Sequence, residues 1–120
     1  MNMNNYMEIR DSSLVNGKGL FTTKSVEKGG IVFVLTGKIY SEPLRETIYI
    51  GNNEHIYDEY GIFINHSFSP NIVIENKNVV ALFDIKADEE VAFNYNDSEP
   101  KMAAPFSLNG VMVDGNPDIN

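Results

Sequence analysis

With 120 residues, 42 % of them hydrophobic and 22 % charged, the chain has material for one compact domain and too much apolar content for a disordered one. Its net charge of −8 argues against unaided nucleic-acid binding, which needs clustered Lys and Arg to neutralise phosphates, and suits a basic partner instead. The absence of cysteine removes disulfides, thiolate zinc sites and cysteine nucleophiles together.

Residues 1–7 are Asn-rich and lack the basic start and apolar stretch of a secretory signal, so a cytoplasmic location is the default expectation, with nuclear or host-cell action left open. A strand is expected over 9–15, closed by the turn Asn16-Gly17-Lys18-Gly19 and followed by a second over 20–23. Glu27-Lys28-Gly29-Gly30 marks another turn before an apolar run over 31–35, which is strand-sized and far short of a bilayer span. Further strands are expected over 37–40, 47–50, 72–75, 79–83 and 91–95, with turns at Gly51-Asn52-Asn53 and Asn76-Lys77-Asn78. No window sustains helical spacing over three turns, and a single helical turn is expected near 54–60 or 98–104. The pattern predicts a mostly β domain of several short-stranded sheets whose long connections carry the polar chemistry. Gly110, Gly115, Asn116, Pro117 and Asp118 suggest that 107–120 form a loose tail.

Between the apolar Gly61-Ile62-Phe63-Ile64 and Ile72-Val73-Ile74 lies Asn65-His66-Ser67-Phe68-Ser69-Pro70-Asn71, which concentrates hydrogen-bonding groups where the flanks imply partial burial. Such groups need partners, either the chain's own backbone or a ligand. Several familiar chemistries fail on spacing. Gly17-Lys18-Gly19 lacks the earlier glycine of a phosphate loop, and Leu20 stands where Ser or Thr should follow. His55 and His66 match no metal-ligand spacing, so no metal is expected. Ser67 and Ser69 are too close to His66 for a nucleophile and its base, and no nucleophile elbow is present. Asp88-Glu89-Glu90 reads as a solvated turn, and Tyr95, ending its strand between Asn94 and Asn96, reads by itself as a core-edge residue with its hydroxyl in water.

Taken in order, however, Gly17-Lys18-Gly19-Leu20-Phe21, Glu27-Lys28-Gly29, Phe63-Ile64-Asn65-His66-Ser67 with Pro70-Asn71, and Asp88-Glu89-Glu90-Val91-Ala92-Phe93-Asn94-Tyr95 resemble the SET-domain protein lysine methyltransferases over about residues 7–106. The resemblance implies a SET-type β-clip fold with a pseudoknot-like crossing of the C-terminal segment, S-adenosylmethionine as cofactor, and a lysine-containing, basic protein or peptide as substrate. It implies that Lys18, Gly19 and Leu20 offer backbone groups to the cofactor, that Asn65 and His66 hold it, and that Tyr95 is the catalytic tyrosine. Met102-Ala103-Ala104-Pro105-Phe106 resembles a segment of one bacterial-type branch, implying that Phe106 packs near the adenine, and Thr47-Ile48-Tyr49-Ile50 with His55-Ile56 resembles the same branch, implying that Tyr49 walls the substrate channel. Phe68 stands where the family often has Cys, the zinc-binding cysteines after the tyrosine are missing, and Asn94 replaces the usual Asp. These departures imply a small, zinc-free, stand-alone SET domain whose lid relies on packing. They also motivate the alternative of a catalytically silent SET-like module that acts in protein–protein binding. Neither membrane nor direct nucleic-acid contact is expected, and the oligomeric state, a homodimer included, stays open.

Overall fold

A computed structural model describes residues 6–119, so most of the segment that carries the signal-peptide expectation lies outside the described residues. The first hairpin joins β1 (Met7–Asp11) to β2 (Lys18–Thr22), antiparallel with Met7 opposite Thr22 and Asp11 opposite Lys18. The first strand is shorter than expected because Ser12 N–H closes the turn on the Gly17 carbonyl at 2.8 Å, and Ser12 and Ser13 then bond elsewhere. Next come β3 (Ile31–Val34), β4 (Lys38–Tyr40), β5 (Ile48–Gly51) and β6 (Glu54–Tyr57). A 3₁₀ turn, Gly61–Phe63, leads into β7 (Asn65–His66), followed by β8 (Ile72–Glu75) and β9 (Asn78–Ala81). The chain closes with β10 (Glu89–Glu90), β11 (Ala92–Phe93), the one-turn helix α1 (Tyr95–Ser98), β12 (Phe106–Leu108) and β13 (Val111–Val113).

Three small sheets, ordered β1-β2-β10, β3-β9-β8 and β4-β6-β5, surround one core, and β7-β11 and β12-β13 add two-stranded ribbons. Leu20, Phe33, Leu35, Ile56, Ile64, Ile72, Val79, Ile85 and Val91 are sealed from solvent and contribute side chains to that core from every sheet. Mostly β architecture with many short strands is the SET-type arrangement that the sequence implied.

The expected strand over 91–95 is instead divided, and the division makes the crossing. β10 pairs antiparallel with β2, Glu90 opposite Phe21, after which Val91 N–H still reaches the Leu20 carbonyl at 2.9 Å. One residue later the chain changes partner: β11 runs parallel to β7, Ala92 opposite Asn65 and Phe93 opposite His66. Asn71 clamps the switch, accepting from Ala92 N–H at 2.9 Å and donating to the Glu90 carbonyl at 2.8 Å. Asn94 ends the extended stretch by accepting from Asn96 N–H at 2.9 Å, which caps α1. The expected helical turns therefore fall at Gly61–Phe63 and Tyr95–Ser98 rather than near 54–60 and 98–104, where Glu54–Tyr57 is a strand.

Residues 107–119, expected to be loose, carry all but the first residue of the β12–β13 hairpin and fold back on the domain. Val113 is wholly buried, and the Asn96 side chain donates to the Met112 carbonyl and accepts from Asp114 and Gly115 N–H. Gly115 makes this return possible: its φ is +95°, and a Cβ there would sit 2.7 Å from the Glu99 carbonyl.

Asp58, 1 % exposed, fixes the approach to β7 by accepting from Thr36 N–H at 2.7 Å, Tyr60 N–H at 2.8 Å and Gly61 N–H at 2.7 Å. Asp58→Ala leaves these donors without their acceptor and should lower unfolding free energy by about 3 kcal/mol, read as a lower urea midpoint at unchanged slope.

Candidate active site

Asn65 stands where the first sheet meets the crossing. Its Nδ2 donates to the Lys18 carbonyl at 2.9 Å, to Glu90 Oε2 at 3.0 Å and to Ser12 Oγ at 3.3 Å. Glu90, 8 % exposed, also accepts from the Ser12 hydroxyl at 2.9 Å and from Ser13 through both its N–H (2.7 Å) and its hydroxyl (2.8 Å). Burial by itself would raise the Glu90 carboxyl, but the hydrogen bonds from Asn65, Ser13 and Ser12 outweigh it and hold the group below the usual carboxylate range. The acidic triplet is thus not simply a solvated turn. Gly19 lies directly beneath, and a Cβ on it would collide with Glu90 Oε2. This glycine admits a carboxylate of the same chain, where the resemblance implied an approach for a cofactor. Leu20 is buried in the core with its carbonyl occupied by Val91, and the Lys18 ammonium pairs on the surface with Asp11 at 2.6 Å.

On the other side of the crossing, His66 Nδ1 accepts from Tyr95 N–H at 3.1 Å. The proton of the neutral ring therefore sits on Nε2, which is buried and has no hydrogen-bond partner. Burial, only partly countered by Asp97, lowers the imidazole's tendency to protonate, so the ring stays neutral at physiological pH. Aromatic rings surround it: Phe68 with centroids 4.4 Å apart, Tyr95 at 5.1 Å and Phe106 at 5.8 Å, all edge-to-face. Phe68, at the family's frequent Cys position, packs this ring. Phe106 reaches it from the last hairpin, the element that closes this side of the molecule without zinc ligands.

The Tyr95 ring also packs on Phe93 at 4.8 Å, and its hydroxyl donates to the Ile64 carbonyl at 2.6 Å. Burial, followed by the negative charge of Glu99, pushes the phenol well above its ordinary value, so it remains a neutral donor. Tyr95, Phe93 and Ile64 line a cavity of about 70 Å³ whose remaining wall comes from residues 43–48, Gly61, Ile62, Glu99 and residues 102–104. Glu99 is 5 % exposed and accepts from Tyr49 N–H at 2.8 Å. Burial, only partly offset by that bond, pushes its carboxyl from 4.5 up to about 7.

Tyr49 is the predicted residue that the fold sets apart. Its ring packs on His55 at 5.1 Å and faces a second cavity of about 200 Å³, lined also by Val73, Ile74 and Ser98. Only its backbone N–H, through Glu99, bears on the Tyr95 cavity. The reason is the alternation of β5, which aims Tyr49 away from the wall that Ile48 contributes. His55 is buried beside it with Nδ1 unpartnered, and among the described residues no group of three or more His, Asp or Glu side chains gathers as metal ligands.

Residues 17–96 match the model of the SET domain. The chain belongs to the SET-domain family. Members of this family are generally protein lysine methyltransferases. Solved structures carry the same fold: a Polycomb Repressive Complex 2 bound to two forms of histone H3, one trimethylated and one methionine-substituted, aligns at 22 % identity and TM-score 0.68 over 87 % of this chain. The Chaetomium thermophilum complex in humanised form with the inhibitor GSK126 aligns at 24 % identity and TM-score 0.61 over 91 %. An apo form carrying two Ezh2 mutations aligns at 24 % and 0.63 over 89 %. This SET domain spans only 15 to 18 % of those chains. No curated protein matches it in sequence.

The fold therefore gathers Lys18, Gly19 and Asn65 around Glu90, and His66, Tyr95 and Phe106 into one aromatic group. Sequence reasoning missed Ser12, Ser13, the Glu90 carboxylate and Glu99. Nothing local marks them, because Glu90 meets its partners across more than seventy residues, from Ser12 and Ser13, and Glu99 meets Tyr49 across fifty. Gly19→Ala should expel the Glu90 carboxylate and lower stability by about 2 kcal/mol, measurable in a chemical melt. For Glu99, the folded state binds the proton more tightly than the unfolded one, so stability falls as pH rises from 4.5 to about 7. That loss should be of the order of 3 kcal/mol, and Glu99→Gln should abolish it in melts across this pH range. Glu90 acts in the opposite sense, its stabilisation disappearing only as pH falls through its lowered range, so the two effects separate.

Proposed function

We propose that this SET domain transfers a methyl group from S-adenosylmethionine to a lysine side chain of a protein substrate. The observation that carries the reading is the buried, unpartnered His66 Nε2–H among Phe68, Tyr95 and Phe106, adjoining the Tyr95 cavity. A solitary donor within aromatic walls suits a flat heteroaromatic base with acceptor nitrogens, and the anionic Glu90 cluster across the crossing suits an ammonium. The residues present thus fit S-adenosylmethionine: His66, Phe68 and Phe106 would hold the base, and Asn65 with the Lys18–Gly19 backbone would hold the amino-acid end. When bound, it supplies an electrophilic methyl group on a sulfonium.

The chain's own contribution is alignment and exclusion of water, which suffice for an in-line displacement at carbon by a neutral amine. The Tyr95 hydroxyl oxygen and the Ile64 carbonyl are acceptors that would orient the amine's N–H groups, and Phe93 and the Tyr95 ring dehydrate the cavity. Residues 43–48 form one wall, so the segment between β4 and the 3₁₀ turn would select the substrate. The charge of −8 favours encounter with basic peptides, and the H3-bound Polycomb complex of the same fold makes histone-like substrates the first to try.

One observation favours the silent alternative: Asn65 Nδ2 and the space over Gly19 are already engaged by Glu90. Calorimetric titration with S-adenosylmethionine separates the two readings. Saturable binding that Asn65→Ala weakens is expected, and no binding at millimolar cofactor would sink the enzyme reading. Radiolabelled methyl transfer to histones or a cell lysate should fall about a hundredfold in Tyr95→Phe, while equal rates would remove Tyr95 from its role.

A further inference from the structure

Four features place Glu99 at the reacting end of the Tyr95 cavity. It lines the same cavity as Tyr95 and Ile64. Its Oε2 accepts the Tyr49 N–H at 2.8 Å, which fixes the carboxyl's orientation. Oε1 accepts no hydrogen bond among the described residues and is not among the sealed, unpartnered polar atoms, which leaves it as the carboxyl oxygen available to a ligand. Finally, no cation lies within ion-pair distance of Glu99 among the described residues, although Arg45 also lines the cavity. A buried carboxyl with one unengaged oxygen at a cavity, beside the Ile64 carbonyl and a phenol oxygen whose own proton is already committed to that carbonyl, offers acceptors to an incoming donor.

We propose that Glu99 receives the substrate's side-chain ammonium in the Tyr95 cavity and takes one proton from it. The inference rests on the methyltransferase reading for the identity of that ammonium as a lysine. In the step, the N–H bond of the ammonium breaks and an O–H bond forms on Glu99. This leaves a neutral amine with its lone pair free and a neutral carboxylic acid, so no net charge is created in a dehydrated cavity. Burial prepares Glu99 for this exchange by raising its proton affinity to about 7, closer to that of a dehydrated amine than an ordinary carboxylate would be. The arrangement also sets specificity, since a neutral side chain of equal length leaves Oε1 without a donor.

The test uses the full 120-residue chain, with Nα-acetyl-lysine amide as probe and Nα-acetyl-norleucine amide as its uncharged counterpart. Carbon-detected NMR follows the Glu99 carboxyl against pH. In the unmodified protein, at a pH above the Glu99 midpoint, the lysine amide should bring the carboxyl signal to its protonated position and raise that midpoint more than the norleucine amide does, whereas a lowered midpoint, the mark of a carboxylate–ammonium pair without transfer, overturns the proposed step. Glu99→Gln retains a carbonyl oxygen for the Tyr49 N–H, and should reduce lysine-amide affinity about tenfold or more, erasing its preference over norleucine amide. A Glu99 midpoint indifferent to lysine amide, or equal affinity in Glu99→Gln, overturns the proposal, and the first of these needs no variant to fold. Cofactor binding and methyl transfer measured in parallel separate the two claims. Transfer with an indifferent Glu99 defeats this inference alone, whereas a Glu99-dependent lysine-amide site without cofactor binding defeats only the methyltransferase reading.

Discussion

The parallel pairing of Asn65–His66 with Ala92–Phe93 is the constraint on which the rest of the structure depends. Parallel neighbours demand a long crossover, and here more than twenty residues, including the β8–β9 hairpin, separate the two short strands. Two residue pairs of ladder cannot hold such a crossing alone. Side chains reinforce it at each end: Asn71 bonds the backbone on both sides of Val91, His66 Nδ1 takes the Tyr95 N–H, and the Tyr95 hydroxyl returns to the Ile64 carbonyl. Every one of these bonds orients a group that the candidate site uses, so folding and site assembly are the same event.

Two buried carboxyls flank the crossing, and their proton affinities shift in opposite directions. Glu90 has donors from Ser12, Ser13 and Asn65 and remains an anion. Glu99 has the Tyr49 N–H alone and gains proton affinity. The number of donors decides the sign, because desolvation acts on both and only sufficient hydrogen bonding to the charged form overcomes it. One carboxylate therefore serves as a fixed negative anchor for local structure, and the other is left with a single donor in the cavity that Tyr95 lines.

Where SET domains with C-terminal zinc cysteines have a metal to order that end, this chain uses packing. Phe106 reaches His66 and Tyr95, Val113 enters the core, and Asn96 gathers three backbone groups from residues 112–115. The Asn at position 94 keeps a capping oxygen for Asn96 N–H without adding a negative charge beside Tyr95. Phe68 similarly replaces a polarisable thiol with a ring against His66.

Much was legible in order along the chain: the β-rich pattern, the hairpin turns, and the combination of Asn65, His66 and Tyr95 that marks a SET domain. These features are local or have fixed sequence order, and period-two patterning and turn chemistry act over a few residues. Illegible were the shortening of the 91–95 strand to Ala92–Phe93 with a helix from Tyr95, the ordering of 107–119, the second role of Gly19 and the place of Glu99. Each depends on which distant segment the chain meets: a single residue separates β10, paired with β2, from β11, paired with β7, and α1 draws the last hairpin inward through Asn96. By itself, the sequence determined the family, the polar residues available and the lack of thiolate chemistry. Only the tertiary structure decided that Glu90 would be saturated with donors and Glu99 starved of them, because a carboxyl's proton affinity is set by burial and by partners that here lie 25 to 78 residues away.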